Sequence, residues 1–386
     1  MSDGLTLQVL PAEQGDCLLL TCYAGDGEHH ILIDAGVPAT GALLAERLRH
    51  CNVRRLDLLV VSHIDTDHIG GMVRLLRDPT FDCEVSDAWF NGYRHLPKAQ
   101  AEIGTRAVAD AERLTAVLSG TTGGRELPWN NLFARDAVVR ADDDPKSGET
   151  MAPLPRIELP FGMRITLLSP TPKRLDALYN GWRSYLQDLR DEQPSASTQE
   201  TIATAITRGD TLEDLAARAT TNDRAPPNGS SIAFLAEFAG RSILFGADAF
   251  PTVLYPALLN LARDRAGLSA DVDEGEVPPM HVDVFKLPHH GSRANVANAL
   301  FDVVRADHYV VSTSGKVFGH PDEEAMARVI LRGRPVSGER HTLWFNYVSD
   351  TTRRWLDDGL KRRYGHATAG AEAEGSPGAT IKLPTH

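Results

Sequence analysis

The chain has 386 residues, 42% hydrophobic and 24% charged, and its 40 basic against 52 acidic side chains leave a formal net charge of −12. That length and composition allow an ample core and exclude disorder as the main state. The acidic balance also excludes a broadly cationic nucleic-acid coat, because its long-range field repels phosphate and any nucleic-acid chemistry must occur at a locally neutralised site.

Residues 1–16 lack a basic stretch followed by an uninterrupted apolar segment. No later window approaches the ~18 apolar residues that a membrane span needs. A cytoplasmic protein with no membrane partner is therefore expected. Cys17, Cys22, Cys51 and Cys83 form no CxxC knuckle and are too scattered for a disulfide framework, so they read as reduced, mostly buried thiols.

In chain order, short apolar runs predicted as strands end in polar, metal-competent residues. Residues 31–33 lead into Asp34-Ala-Gly, 56–61 into Ser62-His63, and 165–168 into Ser169-Pro170. Residues 231–238 and 241–245 read as a hairpin ending at Gly246-Ala-Asp248; 282–287 end at Pro288-His289-His290, and 309–311 lead into Ser312-Thr-Ser-Gly315. Helices are expected over 41–50, with Leu43, Leu44 and Leu48 on one face, and over 70–77, directly after the first histidine cluster. A capping-box pattern at 197–200 predicts a helix to about 208, and 211–214 can open another. Segments 96–158 and 173–227 fall outside the strand rhythm and are read as insertions in a domain spanning 1–350. Residues 351–386 are read as a tail with a frayed or disordered end.

Three clusters carry the chemistry. The first is Ser62-His63-Ile-Asp65-Thr-Asp67-His68-Ile-Gly70-Gly71, with potential metal ligands His63, Asp65, Asp67 and His68. Read as a mere surface turn, it would crowd carboxylates and imidazoles together without a cation to relieve them. The second is Lys286-Leu-Pro-His289-His290-Gly291-Ser292, again closing an apolar run. The third, Phe245-Gly246-Ala-Asp248, is weak alone, but beside the other two it supplies a carboxylate able to bridge two cations.

Together with Phe318-Gly-His320-Pro, these motifs resemble the metallo-β-lactamase superfamily and, within it, the C-terminal hydrolase domain of ComEC-type competence DNA-uptake proteins. The resemblance runs from about residue 5 to 348, insertions excluded. It implies an α/β fold, an αββα sandwich with the metals at one edge between two sheets. It implies His63 and Asp65 at a first metal site, Asp67 and His68 at a second, Asp248 bridging, and the last ligand from His289 or His290. His290 is favoured because it directly precedes the glycine. Where many relatives carry a third-motif histidine this chain reads Pro227-Asn228, so Asn228 or water is expected there. Asp34 resembles an aspartate that orients a ligating histidine. His320 resembles a rim histidine available as an acid, so Asp67 and His320 stand as the candidate catalytic residues. Ser292 and Lys316 are weaker candidates for substrate contacts; His29, His30 and His341 are expected at the surface.

Two divalent ions are expected, Zn²⁺ or Mn²⁺. Asp65 makes the first site harder and richer in oxygen, which shifts preference from Zn²⁺ towards Mn²⁺ or Mg²⁺, while the second site, with two imidazoles, still suits Zn²⁺ or Mn²⁺. A metal-bridging hydroxide would be the nucleophile. The favoured reading is a metal-dependent phosphodiesterase or nuclease with a nucleic-acid or nucleotide substrate, aided by a basic rim of Lys286, Arg293, Lys316 and Arg328; those residues pointing away would weaken it. The alternatives are a hydrolase of a small ester, lactone or amide, β-lactamase-like chemistry included, and a catalytically silent binding protein, which would have no need of the full ligand set.

Overall fold

A computed structural model describes residues 4–96, 109–121, 126–142, 152–190, 210–371 and 375–385. The first half carries β1 (Gly4–Val9), β2 (Leu18–Ala24), β3 (Gly27–Ile33), α1 (Pro38–His50), β4 (Arg55–Leu56), β5 (Leu58–Val60), α2 (Thr66–Leu76), β6 (Glu84–Val85) and β7 (Ala88–Trp89). Next come α3 (Ala109–Leu118), β8 (Arg156–Glu158), β9 (Arg164–Ser169), α4 (Pro172–Arg190), α5 (Leu212–Ala217) and α6 (Pro226–Gly229). The second half adds β10 (Ala233–Phe238), β11 (Arg241–Phe245), α7 (Pro251–Ala266), β12 (Met280–Lys286), α8 (Leu300–Val303), β13 (Val304–Val311) and α9 (Glu323–Arg332). It ends with β14 (Thr342–Phe345), α10 (Asp358–Tyr364), β15 (Ala367–Gly370) and β16 (Ala379–Pro384).

Two sheets form the frame, one ordered β16-β1-β2-β3-β5-β7 and the other β15-β14-β13-β12-β11-β10-β9-β8, with β4 and β6 as a separate pair. Each has helices on its outer face, which gives the expected αββα sandwich. Central strands such as β5 and β11 are buried on both faces, so they read as continuous apolar runs rather than alternating ones. In β10, Phe234 and Ala236 enter the core between the sheets, whereas Ala233 and Leu235 face the helical layer that contains Leu254, Leu258 and Met326. Truncating Phe234, which is fully buried between the sheets, would cost about 3–5 kcal/mol.

The C-terminal segment departs from expectation. Instead of a frayed tail, β15 pairs with β14, and β16 pairs antiparallel with β1 from Gly4↔Pro384 to Val9↔Ala379. Ala379, Ile381 and Leu383 alternate into the inter-sheet core. This period-2 run is short and flanked by Ala, Gly and Glu, whose composition masked it. The described parts of the two insertions are also integral. Leu114, Leu118, Leu175 and Trp182 pack in the cluster beneath α1 and α2, and Leu212 and Leu215 pack in the one beside α9. Thr211 caps α5 through a capping box with Asp214, as the spacing predicts; the helix expected from 197 lies outside the described residues. Cys17, Cys22 and Cys83 are buried, Cys51 is exposed, and none of the four is in a disulfide. Among the described residues no helix is long and apolar enough to cross a membrane.

His341 is fully buried rather than superficial. It lies edge-on to Tyr309 and beside His366, and neither of its ring nitrogens has a hydrogen-bond partner. His29 and His30 sit half-buried against Asp57. Burial first, then His366 and Arg334, push the His341 pKa down to about 3. Because the folded value lies below the unfolded ~6.5, this stability is complete above that pH and is lost as pH falls towards 3, at up to about 1.4 kcal/mol per unit. Thermal unfolding followed from about pH 7 to pH 5 should therefore decline less steeply for His341→Leu than for the wild type. An unchanged slope would contradict this reading.

Candidate metal centre

Parallel strands place the chemistry at their C-terminal ends, where the turns of both sheets meet. In the first sheet, β3 ends at Asp34 and β5 leads into Ser62 and His63. Asp34, in the left-handed region with φ 55°, accepts hydrogen bonds from Ser62 N at 2.7 Å and Ser62 Oγ at 2.6 Å. Its Oδ2 also meets His68 Nδ1 at 2.8 Å, and Ser62 Oγ lies 3.0 Å from His63 Nδ1. The helix after the motif starts earlier than expected, at Thr66, so Asp67 and His68 stand in its first turn and Asp65 at its N-cap. The glycine pair permits this. A Cβ on Gly71 would lie 1.8 Å from the Ala35 carbonyl oxygen, so only glycine lets α2 approach the turn that carries Asp34.

In the second sheet, β11 delivers Asp248 and β12 delivers the histidine pair. His289, His290 and Gly291 all have positive φ, at 47°, 55° and 86°. Two consecutive non-glycine residues in that region are strained, and the strain persists only where surrounding contacts hold it. Here those contacts turn both imidazoles inward. His289 Nδ1 lies 2.9 Å from Asn295 Oδ1 and 3.4 Å from Asp223 Oδ2, and His290 Nδ1 lies 2.8 Å from the Ser312 carbonyl.

The two halves meet at Asp248 Oδ2. Around it stand the Nε2 atoms of His68 at 3.5 Å, His289 and His290 at 3.7 Å, and His63 at 3.8 Å. His68 Nε2 and His290 Nε2 are 3.2 Å apart. Asp65 Oδ2 lies 3.6 Å from His63, and Asp67 Oδ2 lies 3.7 Å from His290. Burial alone would lower the His68 pKa, but Asp248 and Asp34 outweigh it and hold the ring well above the usual histidine value. Burial likewise opposes ionisation of Asp248, yet His68, His289 and His290 hold it well below the usual carboxylate range. His63 Nε2 and Asp248 Oδ1 are buried without hydrogen-bond partners. Every imidazole is fixed through Nδ1 and presents Nε2 inward, an arrangement that fits divalent cations and leaves their binding atoms ready.

The remaining expected residues divide. His320 joins the site, with its ring 5.3 Å from that of His289 and its Nδ1 3.6 Å from Asp322. Asn228 turns its amide to Asp223 at 2.7 Å, and its Oδ1 is buried without a partner. Ser292 is a turn residue: its N donates to the His289 carbonyl and its Oγ accepts from Ala294 N. Lys316 is 71% exposed and pairs with Glu13. The expected basic rim does not form. Lys286 is buried against Asp16, Arg328 donates to the carbonyls of Arg293, Val296 and Arg218, and Arg293 faces Glu324. Lys286 at the end of β12 and Arg328 on α9 point inward, where a carboxylate and backbone carbonyls hold them. Sequence reading missed Asp16, Asp223 and Asn295. Asp16 precedes a strand rather than ending one, and the other two lie in loops without a distinctive pattern.

A profile of the metallo-beta-lactamase superfamily matches residues 10–82. No curated protein matches the chain. Among solved structures, the metallo-beta-lactamase fold protein YhfI from Bacillus subtilis is 11% identical, covering 98% of this chain and 99% of that one, with TM-score 0.37. A diphosphatase of the PhnP family is 12% identical over 100% of this chain and 99% of that one, with TM-score 0.37. A HARLDQ-motif metallo-beta-lactamase from Cronobacter sakazakii is 15% identical over 70% of each chain, with TM-score 0.26. These TM-scores are too low to bear on substrate. The matched segment holds β2, β3, β5 and α2 with His63, Asp65, Asp67 and His68, so this part of the chain is similar to the metallo-beta-lactamase superfamily, and the αββα frame is consistent with that fold.

Proposed function

We propose that the protein is a two-metal phosphodiesterase acting on a small, nucleotide-like phosphodiester. The observation that carries this reading is Asp248 Oδ2, a buried carboxylate oxygen surrounded by four imidazole Nε2 atoms at 3.5–3.8 Å. One metal would be held by His63, Asp65 and His289 and the other by Asp67, His68 and His290, with Asp248 shared. In this assignment both members of the histidine pair are ligands, and His289 takes the place that Asn228 or water was expected to fill. When bound, a pair of divalent ions supplies an activated water and polarises the oxygen of the bond under attack. The carboxylates Asp65, Asp67 and Asp248 suit Mn²⁺ and the imidazoles suit Zn²⁺, and a centre this rich in oxygen suits a phosphoryl substrate. The same reading follows from the motif resemblance to ComEC-type hydrolase domains.

The chain's own residues divide the remaining work. Asp34 and Ser62 orient His68 and His63, Asn295 and Asp223 orient His289, and the Ser312 carbonyl orients His290. His320, held beside Asp322, would give a proton to the leaving oxygen. Its burial and its ring contact with His289 support that role. Each cation expected on the rim is engaged elsewhere, which favours a small substrate held by the metals over a long polyanion held by a basic track.

The test uses metal-reconstituted protein on bis-p-nitrophenyl phosphate, a dinucleotide, single- and double-stranded DNA, and nitrocefin. Hydrolysis of the small phosphodiesters is expected, falling at least about 100-fold in His68→Ala. Activity on nitrocefin alone would overturn the proposal. Metal affinity gives a second prediction: Asp34→Asn, which leaves His68 without its carboxylate partner, should weaken metal uptake about 10–100-fold by titration calorimetry. Affinity equal to wild type would deny Asp34 its orienting role.

A further inference from the structure

We propose that Asp16 is a positioning residue for the second metal site, acting through His290 and neutralised by Lys286. This rests on the two-metal reading above. Asp16 and Lys286 are both almost completely buried, and Asp16 Oδ2 lies 2.5 Å from Lys286 Nζ. The other oxygen, Oδ1, lies 3.4 Å from His290 Nδ1 and has no hydrogen-bond partner of its own. Nδ1 is the ring edge opposite the Nε2 that faces Asp248 and Asp67, so Asp16 addresses the back of the imidazole. A carboxylate placed there, with its second oxygen committed to a lysine, is a partner for the ligand rather than a ligand itself.

The loop that carries Asp16 joins β1 to β2 in one sheet, whereas Lys286 and His290 belong to the end of β12 in the other. Several contacts fix this loop beneath the centre. Ser312 Oγ donates to the Gly15 carbonyl at 3.0 Å, and the Ser312 carbonyl in turn faces His290 Nδ1 at 2.8 Å. Gly36 N donates to the Asp16 carbonyl at 2.7 Å, and Ser314 N donates to that of Glu13 at 2.6 Å. A Cβ on Gly15 would stand 1.7 Å from the Asp67 carbonyl oxygen, so the loop is packed directly on the turn bearing Asp67. Both ring edges of His290 are therefore specified, Nε2 by the metal side and Nδ1 by Asp16 and Ser312. Lys286 makes this possible: it balances the charge of a carboxylate that would otherwise be buried without a full counter-charge.

The test measures Zn²⁺ and Co²⁺ binding to wild type, Asp16→Asn and the double variant Asp16→Asn/Lys286→Met, with circular dichroism and thermal unfolding of each metal-free protein. Wild type should take up two equivalents. Asp16→Asn should keep one equivalent near wild-type affinity, weaken the other about 10-fold or more, and change the Co²⁺ spectrum of the weakened equivalent alone. Removing one partner of a buried pair is destabilising, so the double variant, which removes both charges, decides the matter should the single one fail to fold. A folded double variant binding both equivalents as tightly as wild type overturns the proposal, as does equal weakening of both equivalents. Wild type that takes up no metal overturns the two-metal reading itself.

Discussion

The arrangement on which everything else depends is a single buried carboxylate oxygen ringed by the inward-facing nitrogens of four imidazoles. Polar atoms in such a place cost several kcal/mol unless they find partners, and a protein interior does not leave His63 Nε2 and Asp248 Oδ1 without hydrogen bonds by default. A cation resolves the conflict. With protons as the only cations available, Asp248 and Asp34 raise the His68 pKa against the effect of burial. Divalent metals fill the same electrostatic role with more charge and with geometry, and they compete with that proton.

The rest of the fold can be understood as the means of bringing these groups together. Both sheets are parallel where it matters, through β3, β5 and β7 in one and β11 to β14 in the other, so the turns after their strands open to one side. The inter-sheet core holds the two edges in register, with Ile33, Val60, Phe245 and Val310 buried just before the functional turns. At the turns, ordinary backbone preferences yield. Asp34, Ala247, His289 and His290 all adopt positive φ, each costing of order 1–3 kcal/mol, and the packed core on either side keeps them there.

Much of this was legible in the sequence. Apolar runs bounded by glycine, proline or aspartate located β3, β5, β9 to β13 and the turns carrying His63, Asp248 and His290, because buried strands and tight turns impose strong local composition. Asp34 was legible for the same reason. The closing strand β16 was not: its six residues, ATIKLP, are too short to stand out from an Ala- and Gly-rich surrounding, and only pairing with β1 makes them a strand. Asp16 and Asp223 escaped because their significance lies in which distant side chains they meet, Lys286 and His289, and spacing along the chain carries no trace of that. Cationic side chains misled in the opposite direction, since proximity to the motif placed Lys286 and Arg328 at a rim whereas their contacts place them inside.

The four cations expected at the rim, Lys286, Arg293, Lys316 and Arg328, are engaged by other groups and so do not set a basic edge against the net charge of −12. Under the proposed function, substrate affinity would fall to the metals and their immediate ligands, in accord with a compact substrate carrying a single reactive phosphodiester. The account stands on Asp248 as the shared ligand of two ions. The most direct measurement is anomalous diffraction from crystals soaked in Zn²⁺ or Mn²⁺. The account predicts two peaks about 3.5–4 Å apart, one bounded by His63 and His289, the other by His68 and His290, with Asp248 touching both. A single peak, or two peaks that Asp248 does not join, would contradict it.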